Sequence, residues 1–380
     1  MNGERMHLSF LIYSYFPFGG LQRDFLRIAT ECVSRGHRVT VYTLSWDGGI
    51  PDGIDVILVP VTAQNRIKRN EAYTEWVQAA LRQVNDNIVI GFNKMPMLDI
   101  YFAADPCFME KASEQRGFYY KFTSRYKHFK GYEEAVFAAS RLTEVLILSP
   151  HQRAAFEKYY PDCGPRLHQV PPGISVDRKV DDINKEIGAE LRIEFGLAAN
   201  TKLLLQVGSG FRVKGVDRAL RAIAALPQSE LENCHYLLIG QDNPSRYLRL
   251  ARKLGIAEHF TVLPGRDDIP RFLAAADLLL HPAYSESAGY MLLEATIAGL
   301  PVLTTSTCGY AFHVEQAASG LVCSDPFEQS QLNSYLARML KDLDAADWSQ
   351  NGLEYGRQDE LYSQASTVTD FFEEFSAREA

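Results

Sequence analysis

Short hydrophobic runs alternate with longer segments of helical spacing along nearly the whole chain. This alternation is typical of βαβ units that build a parallel sheet. The strands predicted in the first half cover residues 7–13, 38–44, 55–59, 87–92, 99–103, 144–148 and 166–170. Those predicted in the second half cover residues 202–207, 235–239, 260–263, 277–281, 301–305 and 321–323. Each half therefore predicts a doubly wound α/β domain of its own.

The boundary between the two domains is predicted at Pro171-Pro172-Gly173, which follows a predicted strand and precedes the polar run 177–190. We expect an N-terminal Rossmann-like domain over residues 1–172 and a C-terminal one over 173–355, followed by a terminal segment over 356–380. In that segment the apolar positions between 361 and 375 follow helical spacing and predict a helix whose apolar face docks on the protein. Two such domains joined by one linker are expected to bind ligands in a shared cleft, at the carboxyl ends of both sheets.

Composition narrows the class of protein. With 380 residues, 46% hydrophobic and 23% charged, the chain has the composition of a soluble two-domain protein, which excludes disordered and collagenous classes. No stretch approaches the ~18 to 20 apolar residues that cross a bilayer, and the short N-terminal apolar run is interpreted as a strand, so a cytoplasmic protein is expected. The six cysteines contain no C-x-x-C pair and predict buried, reduced thiols. The net charge of -8 argues against general binding of nucleic acid.

Two glycines, Gly19 and Gly20, stand between the first predicted strand and an amphipathic helix. Glycines there let a ligand approach the backbone, and the helix N-terminus offers N–H groups to phosphate or sugar oxygens. An ordinary strand-to-helix turn explains the same pattern. A dinucleotide dehydrogenase is disfavoured because the G-x-G-x-x-G spacing and an acidic residue after the second strand are both missing.

A second glycine loop follows the first strand of the second half and carries Ser209, Arg212 and Lys214. A helix is predicted to start near Val216, so its positive end lies beside Lys214. Point charge and helix dipole together suit a diphosphate. The alternative is a pair of solvated surface cations.

The most informative motif runs from His281 to Ala295. Glu286 lies in the loop after a predicted strand, Ala288 and Gly289 open the next helix, and Glu294 lies within an apolar run of that helix. A carboxylate in the loop can accept hydrogen bonds from sugar hydroxyls, and one in the helix can hold the two ribose hydroxyls of a nucleotide. The helix N-terminus between them suits a diphosphate.

The chain resembles a known family on these residues. Glu286 and Glu294 form the E-x7-E element of the retaining nucleotide-sugar glycosyltransferases of family 4, and both glycine loops also match. Four further motifs resemble the lipopolysaccharide core glucosyltransferases within that family. They are YFPFGGLQRD at 15–24, GFNKMP at 91–96, YFAAD at 101–105 and CGYA at 308–311. The resemblance implies the GT-B fold, in which two Rossmann-like domains face a cleft and the C-terminal helix packs back on the first domain.

The resemblance also implies roles for individual residues of the second domain. Glu294 would hold the ribose and Glu286 the donor hexose. The backbone from Ala288 through Gly289 to Tyr290 would lie at the diphosphate and sugar. Lys214, with Arg212 and the Ser209 loop, would stabilise the departing UDP. Ser209 stands where many members have arginine, and Val213 stands where closer relatives have an arginine before the lysine.

In the first domain, the resemblance implies that Gly19 and Gly20 line the sugar and phosphate, and that Asp105 faces the reacting centre. The catalytic residues expected are therefore Asp105, Lys214 and Glu286. The reaction implied moves a hexose, glucose in the first instance, from UDP to an inner-core heptose of lipopolysaccharide with an alpha linkage. It requires no metal and no cofactor, and UDP-sugar is a co-substrate.

Alternative functions remain open from the sequence. Another UDP-hexose or UDP-N-acetylhexosamine, another acceptor, or a sugar-nucleotide epimerase would fit the same fold. A non-enzymatic binding protein is a further alternative, because a fold does not fix a function.

A basic segment lies between residues 111 and 130 and contains six cations and one acid, Glu114. The cations are Lys111, Arg116, Lys121, Arg125, Lys127 and Lys130, and aromatic residues stand between them. This pattern is typical of a segment that binds an anionic membrane surface. The same cations could instead contact phosphates of a lipopolysaccharide acceptor, or be merely solvated while the aromatics pack in the core. We expect acceptor or membrane docking, with the protein attached peripherally to the cytoplasmic face of the inner membrane.

Overall fold

The computed structural model describes residues 5–17, 19–84, 87–114, 116–175, 182–198, 200–343 and 345–379. The chain divides into two compact units. The first comprises Met1–Gly173 with Ser363–Ala380, and the second comprises Ile174–Tyr362. The terminal segment predicted from residue 356 thus enters the first unit only at Ser363.

The first unit contains nine strands and six helices among its described residues. The strands are β1 His7–Leu11, β2 Ser14–Tyr15, β3 Arg38–Thr43, β4 Ser45–Trp46, β5 Ile54–Leu58, β6 Asn87–Gly91, β7 Ile100–Ala103, β8 Glu144–Ile147 and β9 Leu167–Gln169. The first five helices are α1 Gly20–Ser34, α2 Arg66–Leu81, α3 Phe108–Glu114, α4 Ser124–Phe137 and α5 Pro150–Tyr159. A 3-10 turn, Phe118–Phe122, stands between α3 and α4.

Seven of these strands form one parallel sheet in the order β5-β3-β1-β6-β7-β8-β9. The order reverses between β1 and β6, so the loops that follow these two strands diverge to opposite sides and leave room for a ligand. The central strands are buried on both faces, which explains their continuous apolar runs. The two-residue strands β2 and β4 pair beside the sheet and were not predicted, because a two-residue run has no readable period.

Two helices of the first unit, α2 and α4, begin at residues whose side chains cap them. Asn65 accepts a hydrogen bond from Lys68 N at 3.0 Å at the start of α2, and Thr123 accepts one from Tyr126 N at 3.1 Å at the start of α4. Such caps satisfy backbone N–H groups that lack a partner within the helix. These two caps fix the starts of the helices that flank the candidate site of the first unit.

The second unit contains helices α6 to α14 and strands β10 to β15. The strands are β10 Lys202–Val207, β11 Cys234–Ile239, β12 Phe260–Leu263, β13 Leu278–His281, β14 Val302–Thr305 and β15 Gly320–Cys323. The helices are α6 Asp182–Glu194, α7 Val216–Ala224, α8 Gln228–Leu231, α9 Ser245–Lys253, α10 Ile269–Ala275, α11 Tyr290–Ile297, α12 Ala311–Gln316, α13 Gln329–Asp342 and α14 Trp348–Tyr355. The strands form a six-stranded parallel sheet in the order β12-β11-β10-β13-β14-β15, which reverses between β10 and β13.

The last helix, α15 Gln364–Glu379, packs on α1 of the first unit. Phe372 is fully buried, with its ring 6.1 Å from that of Phe10. At the edge of this contact Arg35 forms an ion pair with Asp370 at 2.5 Å, and His37 lies 3.0 Å from Glu373. The predicted docking of the C-terminal helix on the first domain is confirmed.

Every predicted strand is present, with ends that differ by one or two residues, so the prediction of two doubly wound α/β domains is confirmed. All six cysteines are free and buried, as the sequence indicates. None of the helices in the described ranges is long and apolar enough to cross a membrane.

Candidate functional site

The candidate site of the second unit lies where the order of its sheet reverses. Strands β10 and β13 are paired neighbours, with Leu204 opposite Leu278 and Leu205 opposite Leu279. Lys214 lies in the loop after β10, and Glu286 lies in the loop after β13. Because parallel strands end at the same edge of a sheet, their pairing brings these two loops together.

Several close contacts hold the two loops against each other. Tyr284 N donates to Val213 O at 2.8 Å. Gly215 has a φ of 70°, and a Cβ at this position would lie 1.9 Å from Pro282 O, so no larger residue fits. The guanidinium of Arg218 lies 3.6 Å from the ring centroid of Tyr284 and donates to Ala283 O at 3.0 Å. Backbone and side chains therefore fix the position of the Glu286 loop.

Lys214 and Glu286 form an ion pair in this site. Their side chains are 18% and 19% exposed, so the pair is largely desolvated but remains open to a ligand. His281 is 1% exposed, and its Nε2 lies 2.8 Å from the second carboxylate oxygen of Glu286. A carboxylate only accepts, so Nε2 carries the hydrogen of this bond. Although burial raises the pKa of Glu286, the charge of Lys214 and the bond from His281 hold it well below its ordinary value.

The segment around Cys308 fixes the backbone of the Glu286 loop. Glu286 N donates to Thr307 O at 3.1 Å, and Gly309 N donates to Glu286 O at 2.9 Å. Directly after this loop α11 begins, with Gly289 as its cap at a φ of 98°. The Glu294 side chain lies in this helix and is buried. The E-x7-E element thus spans the start of one helix, with Glu286 before it and Glu294 within it.

One group of His, Cys, Asp and Glu side chains in the part of the chain that the structure describes has the geometry to hold a metal ion. It comprises His281, Glu286 and Cys308, whose ligand atoms lie within 4.8 Å of one another. Glu286 in this group already pairs with Lys214. A metal ion here would therefore have to displace the ammonium group.

Two other predicted donor-site residues lie at the surface of the second unit. Ser209 is exposed, and its hydroxyl accepts a hydrogen bond from Gln241 N at 2.9 Å. Arg212 is exposed and forms no ion pair with the described residues. Neither residue contributes to the contacts that hold Lys214 and Glu286.

A second candidate site is a cavity of about 240 Å³ at the carboxyl ends of β1, β6 and β7 in the first unit. Tyr13, Asn93 and Asp105 line it, one from the loop after each strand. Tyr13 N donates to the side-chain oxygen of Asn93 at 3.0 Å. The cavity therefore lies at the point where the order of the first sheet reverses, and the predicted residue Asp105 lies in it.

Glu133 organises the wall of this cavity. It is fully buried, pairs with Lys94, and accepts backbone hydrogen bonds from Phe108 N at 2.7 Å and Met109 N at 2.9 Å. Lys94 also donates to Pro106 O at 2.7 Å. One carboxylate on α4 thereby fixes the start of α3 and the loop that carries Asp105.

The predicted basic segment divides into two groups. Lys111, Arg116 and Arg125 line the cavity. Lys121, Lys127 and Lys130 are not among its lining residues, and Lys130 pairs with Glu134. The structure thus separates cations that sequence reasoning treated as one set.

The aromatic residues of this segment divide in the same way. Phe118, Tyr119 and Phe122 of the 3-10 turn are 67%, 85% and 67% exposed. Tyr126 is buried, and Phe129 lines the cavity. The alternative that the aromatics all pack in the core is therefore wrong for the 3-10 turn.

Gly19 and Gly20 lie at the start of α1, with Gly19 as the cap and Gly20 as the first helical residue. A Cβ on Gly19 would lie 1.8 Å from the side-chain oxygen of Gln22 and 2.9 Å from the Phe16 ring. A larger residue at position 19 would therefore have to displace the ends of these two side chains.

Sequence reasoning missed the roles of His281, Glu133 and Arg66. His281 could have been found as a polar residue that ends an apolar strand just before Glu286. Arg66 lines the cavity of the first unit but lies far along the chain from the basic segment. Nothing in the sequence indicates that Glu133 is buried, because its neighbours on α4 include charged and polar residues.

Comparison with known proteins places both units in one family. Residues 18–178 match the model of Glycosyltransferase Family 4, and residues 189–355 match that of Glycosyl transferases group 1. The lipopolysaccharide glucosyltransferase WaaG of Escherichia coli (strain K12) is 44% identical over 366 residues, which cover 96% of this chain and 98% of that protein.

Solved structures agree with the sequence comparison. The crystal structure of WaaG, a glycosyltransferase involved in lipopolysaccharide biosynthesis, matches with a TM-score of 0.89 and 45% identity over 96% of this chain and 99% of that chain. A sucrose-phosphate synthase from Thermosynechococcus elongatus shares the fold, with a TM-score of 0.76 and 17% identity over 98% of this chain and 100% of that chain.

These matches extend over both units and include Glu286 and Glu294 around the start of α11. They also confirm the resemblance found on the sequence motifs. The chain is therefore a glycosyltransferase of family 4 with the GT-B fold, and it belongs to the same family as the lipopolysaccharide glucosyltransferase WaaG.

Proposed function

We propose that this glycosyltransferase moves glucose from UDP-glucose to a heptose of the lipopolysaccharide inner core, with retention of the anomeric configuration. The observation that supports it most is the desolvated pair of Lys214 and Glu286 before α11, in a chain 44% identical to a lipopolysaccharide glucosyltransferase. In this proposal Glu294 holds the ribose hydroxyls and Glu286 accepts hydrogen bonds from the hexose. Gly289 and Tyr290 border the diphosphate at the start of the helix.

The main catalytic task is to stabilise the negative charge on the departing UDP. The bond from the anomeric carbon to the phosphate oxygen breaks, and the acceptor oxygen bonds to the same face of that carbon. The hydroxyl proton passes to the departing phosphate oxygen, which lies beside it on that face. Lys214 supplies a fixed positive charge in a desolvated site, which is the form of electrostatic stabilisation that lowers such barriers most. A protein cation supplies this charge, so we propose a reaction without a metal ion.

The acceptor binds in the first unit in this proposal. Asp105 lines the cavity there and orients the acceptor by accepting a hydrogen bond from another of its hydroxyls. The Lys94–Glu133 pair acts on Asp105 indirectly, because it fixes the loop between Asp105 and α3. Glu133 and Lys94 are thus positioning residues.

The protein also docks on an anionic membrane surface through the 3-10 turn in this proposal. Phe118, Tyr119 and Phe122 are exposed side by side, with ring centroids 6.1 Å and 5.5 Å apart around Phe118. Lys121 belongs to the same turn and is exposed. Aromatic rings with adjacent cations suit the boundary between headgroups and acyl chains of an anionic leaflet.

The transfer reaction is tested by UDP release from a panel of UDP-sugars, with and without purified heptose-terminated lipopolysaccharide. We expect acceptor-dependent release with UDP-glucose, and the Glu294→Ala variant serves as the blank. Absence of release with every sugar, despite measurable UDP binding, would contradict the proposed reaction. A sugar epimer formed without acceptor would identify the epimerase instead.

Membrane docking is tested by co-sedimentation with vesicles that contain phosphatidylglycerol. The triple variant Phe118→Ser, Tyr119→Ser, Phe122→Ser should lose most of its binding. Leu142→Ser is the matched control, because Leu142 is 89% exposed in the same unit but lies outside the turn. Equal sedimentation of the triple variant and the control would refute docking through this turn.

A further inference from the structure

The cavity of the first unit carries a positive charge that the proposed transfer of a neutral sugar does not require. Four cations line it: Arg66, Lys111, Arg116 and Arg125. None of them forms an ion pair with a carboxylate of the described residues. Asp105 is the one carboxylate among the lining residues, and the fifth cation, Lys94, is already neutralised by Glu133. All four cations are exposed to solvent and line one cavity, and an excess of positive charge there favours a multiply charged anion.

Aromatic rings hold the arginines in place. The guanidinium carbons of Arg66 and Arg125 lie 5.8 Å and 5.7 Å from the centroid of one ring, that of Phe129. The guanidinium of Arg116 lies 5.6 Å from the centroid of Tyr120. A guanidinium that stacks on a ring keeps its N–H edge available, and that edge matches the geometry of a phosphate group. The three arginines are exposed to solvent, and each lies near an aromatic ring that lines the cavity.

Asp105 indicates how an anion and a sugar would share the cavity. A phosphate group is repelled by the Asp105 carboxylate and attracted to the arginines on the Phe129 and Tyr120 rings. Asp105 can accept a hydrogen bond from an uncharged sugar hydroxyl without any electrostatic repulsion. One ligand that carries both groups satisfies both parts of the cavity.

We propose that this cavity binds a phosphate ester carried by the sugar acceptor, so that the enzyme prefers a phosphorylated acceptor over the same saccharide without phosphate. The inference rests on the proposed function, because it assumes that the acceptor binds in the first unit. Arg66 is a specificity-determining residue in this proposal, together with Arg125.

The preference is tested with inner-core oligosaccharide released from lipopolysaccharide by deacylation, either with its phosphates intact or after their removal with hydrofluoric acid. Wild type should have a kcat/KM about 10- to 100-fold higher for the phosphorylated form, the range expected for one or two charge-assisted hydrogen bonds. Arg66→Ala should lose most of this preference. Arg69→Ala is the matched control, since Arg69 is exposed on the same helix but does not line the cavity. Equal kcat/KM of wild type for both forms would overturn the proposal.

Binding is measured without turnover by ³¹P NMR of the phosphorylated oligosaccharide in the presence of UDP. Wild type should shift or broaden the phosphate resonance, and the Arg66→Ala, Arg125→Ala variant should not. If the resonance shifts but no sugar is transferred, phosphate binding in the cavity is supported and the proposed reaction is contradicted. If wild type does not shift the resonance, the proposal that the cavity binds phosphate is overturned, whether or not the enzyme is active.

A lipid headgroup offers the same phosphate chemistry and is distinguished by vesicle binding. Arg66→Ala should sediment with phosphatidylglycerol vesicles as wild type does, because the cavity takes the acceptor phosphate. If Arg66→Ala loses vesicle binding but keeps the preference for phosphorylated oligosaccharide, the cations bind lipid headgroups. That result would overturn the proposal.

Discussion

Lys214 and Glu286 form an ion pair across 72 positions of the chain, at the carboxyl ends of two adjacent parallel strands. The pair places a cation and a carboxylate side by side. In the proposed reaction, the phosphate of the sugar donor attracts the ammonium of Lys214 and the sugar hydroxyls hydrogen-bond to Glu286. His281 also contacts Glu286, so we propose that it holds the carboxylate in position when the donor binds.

Replacement of Lys214 removes the positive charge proposed to stabilise the departing UDP. We expect Lys214→Ala to lower kcat by roughly two to three orders of magnitude, by analogy with the loss of one oxyanion-hole donor. Steady-state kinetics with UDP-glucose measure the effect, with Lys253→Ala as a control at an exposed lysine of the same unit. A kcat within twofold of wild type would refute the role of Lys214.

The contact between the two loops of the donor site is tested at Gly215. Gly215→Ala adds a Cβ 1.9 Å from Pro282 O and should displace the Glu286 loop, with a loss of UDP-glucose turnover and a lower thermal midpoint. Gly255→Ala is the matched control, because Gly255 has a similar φ of 74° but no atom within 4 Å of the added Cβ. It should show only the backbone strain, about 1 kcal/mol. Equal effects of the two variants would show that the contact with Pro282 is unimportant.

Because the pKa of Glu286 is lowered in the folded protein, its contribution to the stability of the fold should depend on pH. Burial raises this pKa, but Lys214 and His281 lower it by more, so the folded state holds the carboxylate ionised. The stabilisation is fully present above the unfolded pKa of about 4.3 and is lost as the pH falls towards the lower folded pKa. We expect Glu286→Gln to lower the urea midpoint at pH 7 more than at pH 4.

The control for this pH dependence is Glu258→Gln, at an exposed carboxylate of the second unit without an ion pair among the described residues. Its urea midpoint should follow that of wild type at both pH values. A Glu286→Gln deficit that is equal at pH 7 and pH 4 would contradict the assignment of the ionised pair to the folded state.

Removal of Glu133 should destabilise the first unit strongly. Glu133→Ala leaves Lys94 and two backbone N–H groups of α3 without their acceptor in a buried site. We expect a loss of about 3 to 5 kcal/mol in the free energy of unfolding, the range for breaking one partner of a buried pair. Glu134→Ala, next to it on α4, breaks only the partly exposed pair with Lys130 and should cost about 1 kcal/mol or less. Denaturant unfolding measures the free energy of unfolding of both variants. Similar decreases in the two variants would contradict the stabilising role of the buried Glu133 network.

The thiols should be unreactive in the folded protein. Burial raises the pKa of Cys32 to about 12 and that of Cys163 to about 11, and all six cysteines are buried. Because the thiolate is the reactive form, we expect no labelling by a disulfide reagent at pH 8 under native conditions. Labelling of six thiols should follow denaturation. Rapid labelling of the native protein would show that at least one cysteine is accessible.

Much of the fold could be predicted from the sequence. Buried parallel strands appear as continuous apolar runs, and the helices between them keep the period that buries one face, so each doubly wound unit is visible in the pattern of residues. The E-x7-E spacing and the glycine loops led to the prediction of Lys214, Glu286 and Glu294 as site residues, and the structure places them in loops and helices that follow strands. Such signals can be read from the sequence because they involve residues that are close together in the chain.

The sequence alone could not show which distant residues meet. Lys214 joins Glu286 only because β10 and β13 are neighbours in the sheet, and strand order is a property of the folded chain. Arg66 reaches the Phe129 ring of α4 from another helix, α2, which the sequence could not show. Tertiary structure also divided the basic segment into cations that line the cavity and cations that do not, because the cavity is built from several elements. The amino-acid pattern thus determined the helices and strands and the residue types at the site. Only the packing of strands and helices decided which of these residues contact each other, because those contacts join residues that are far apart in the chain.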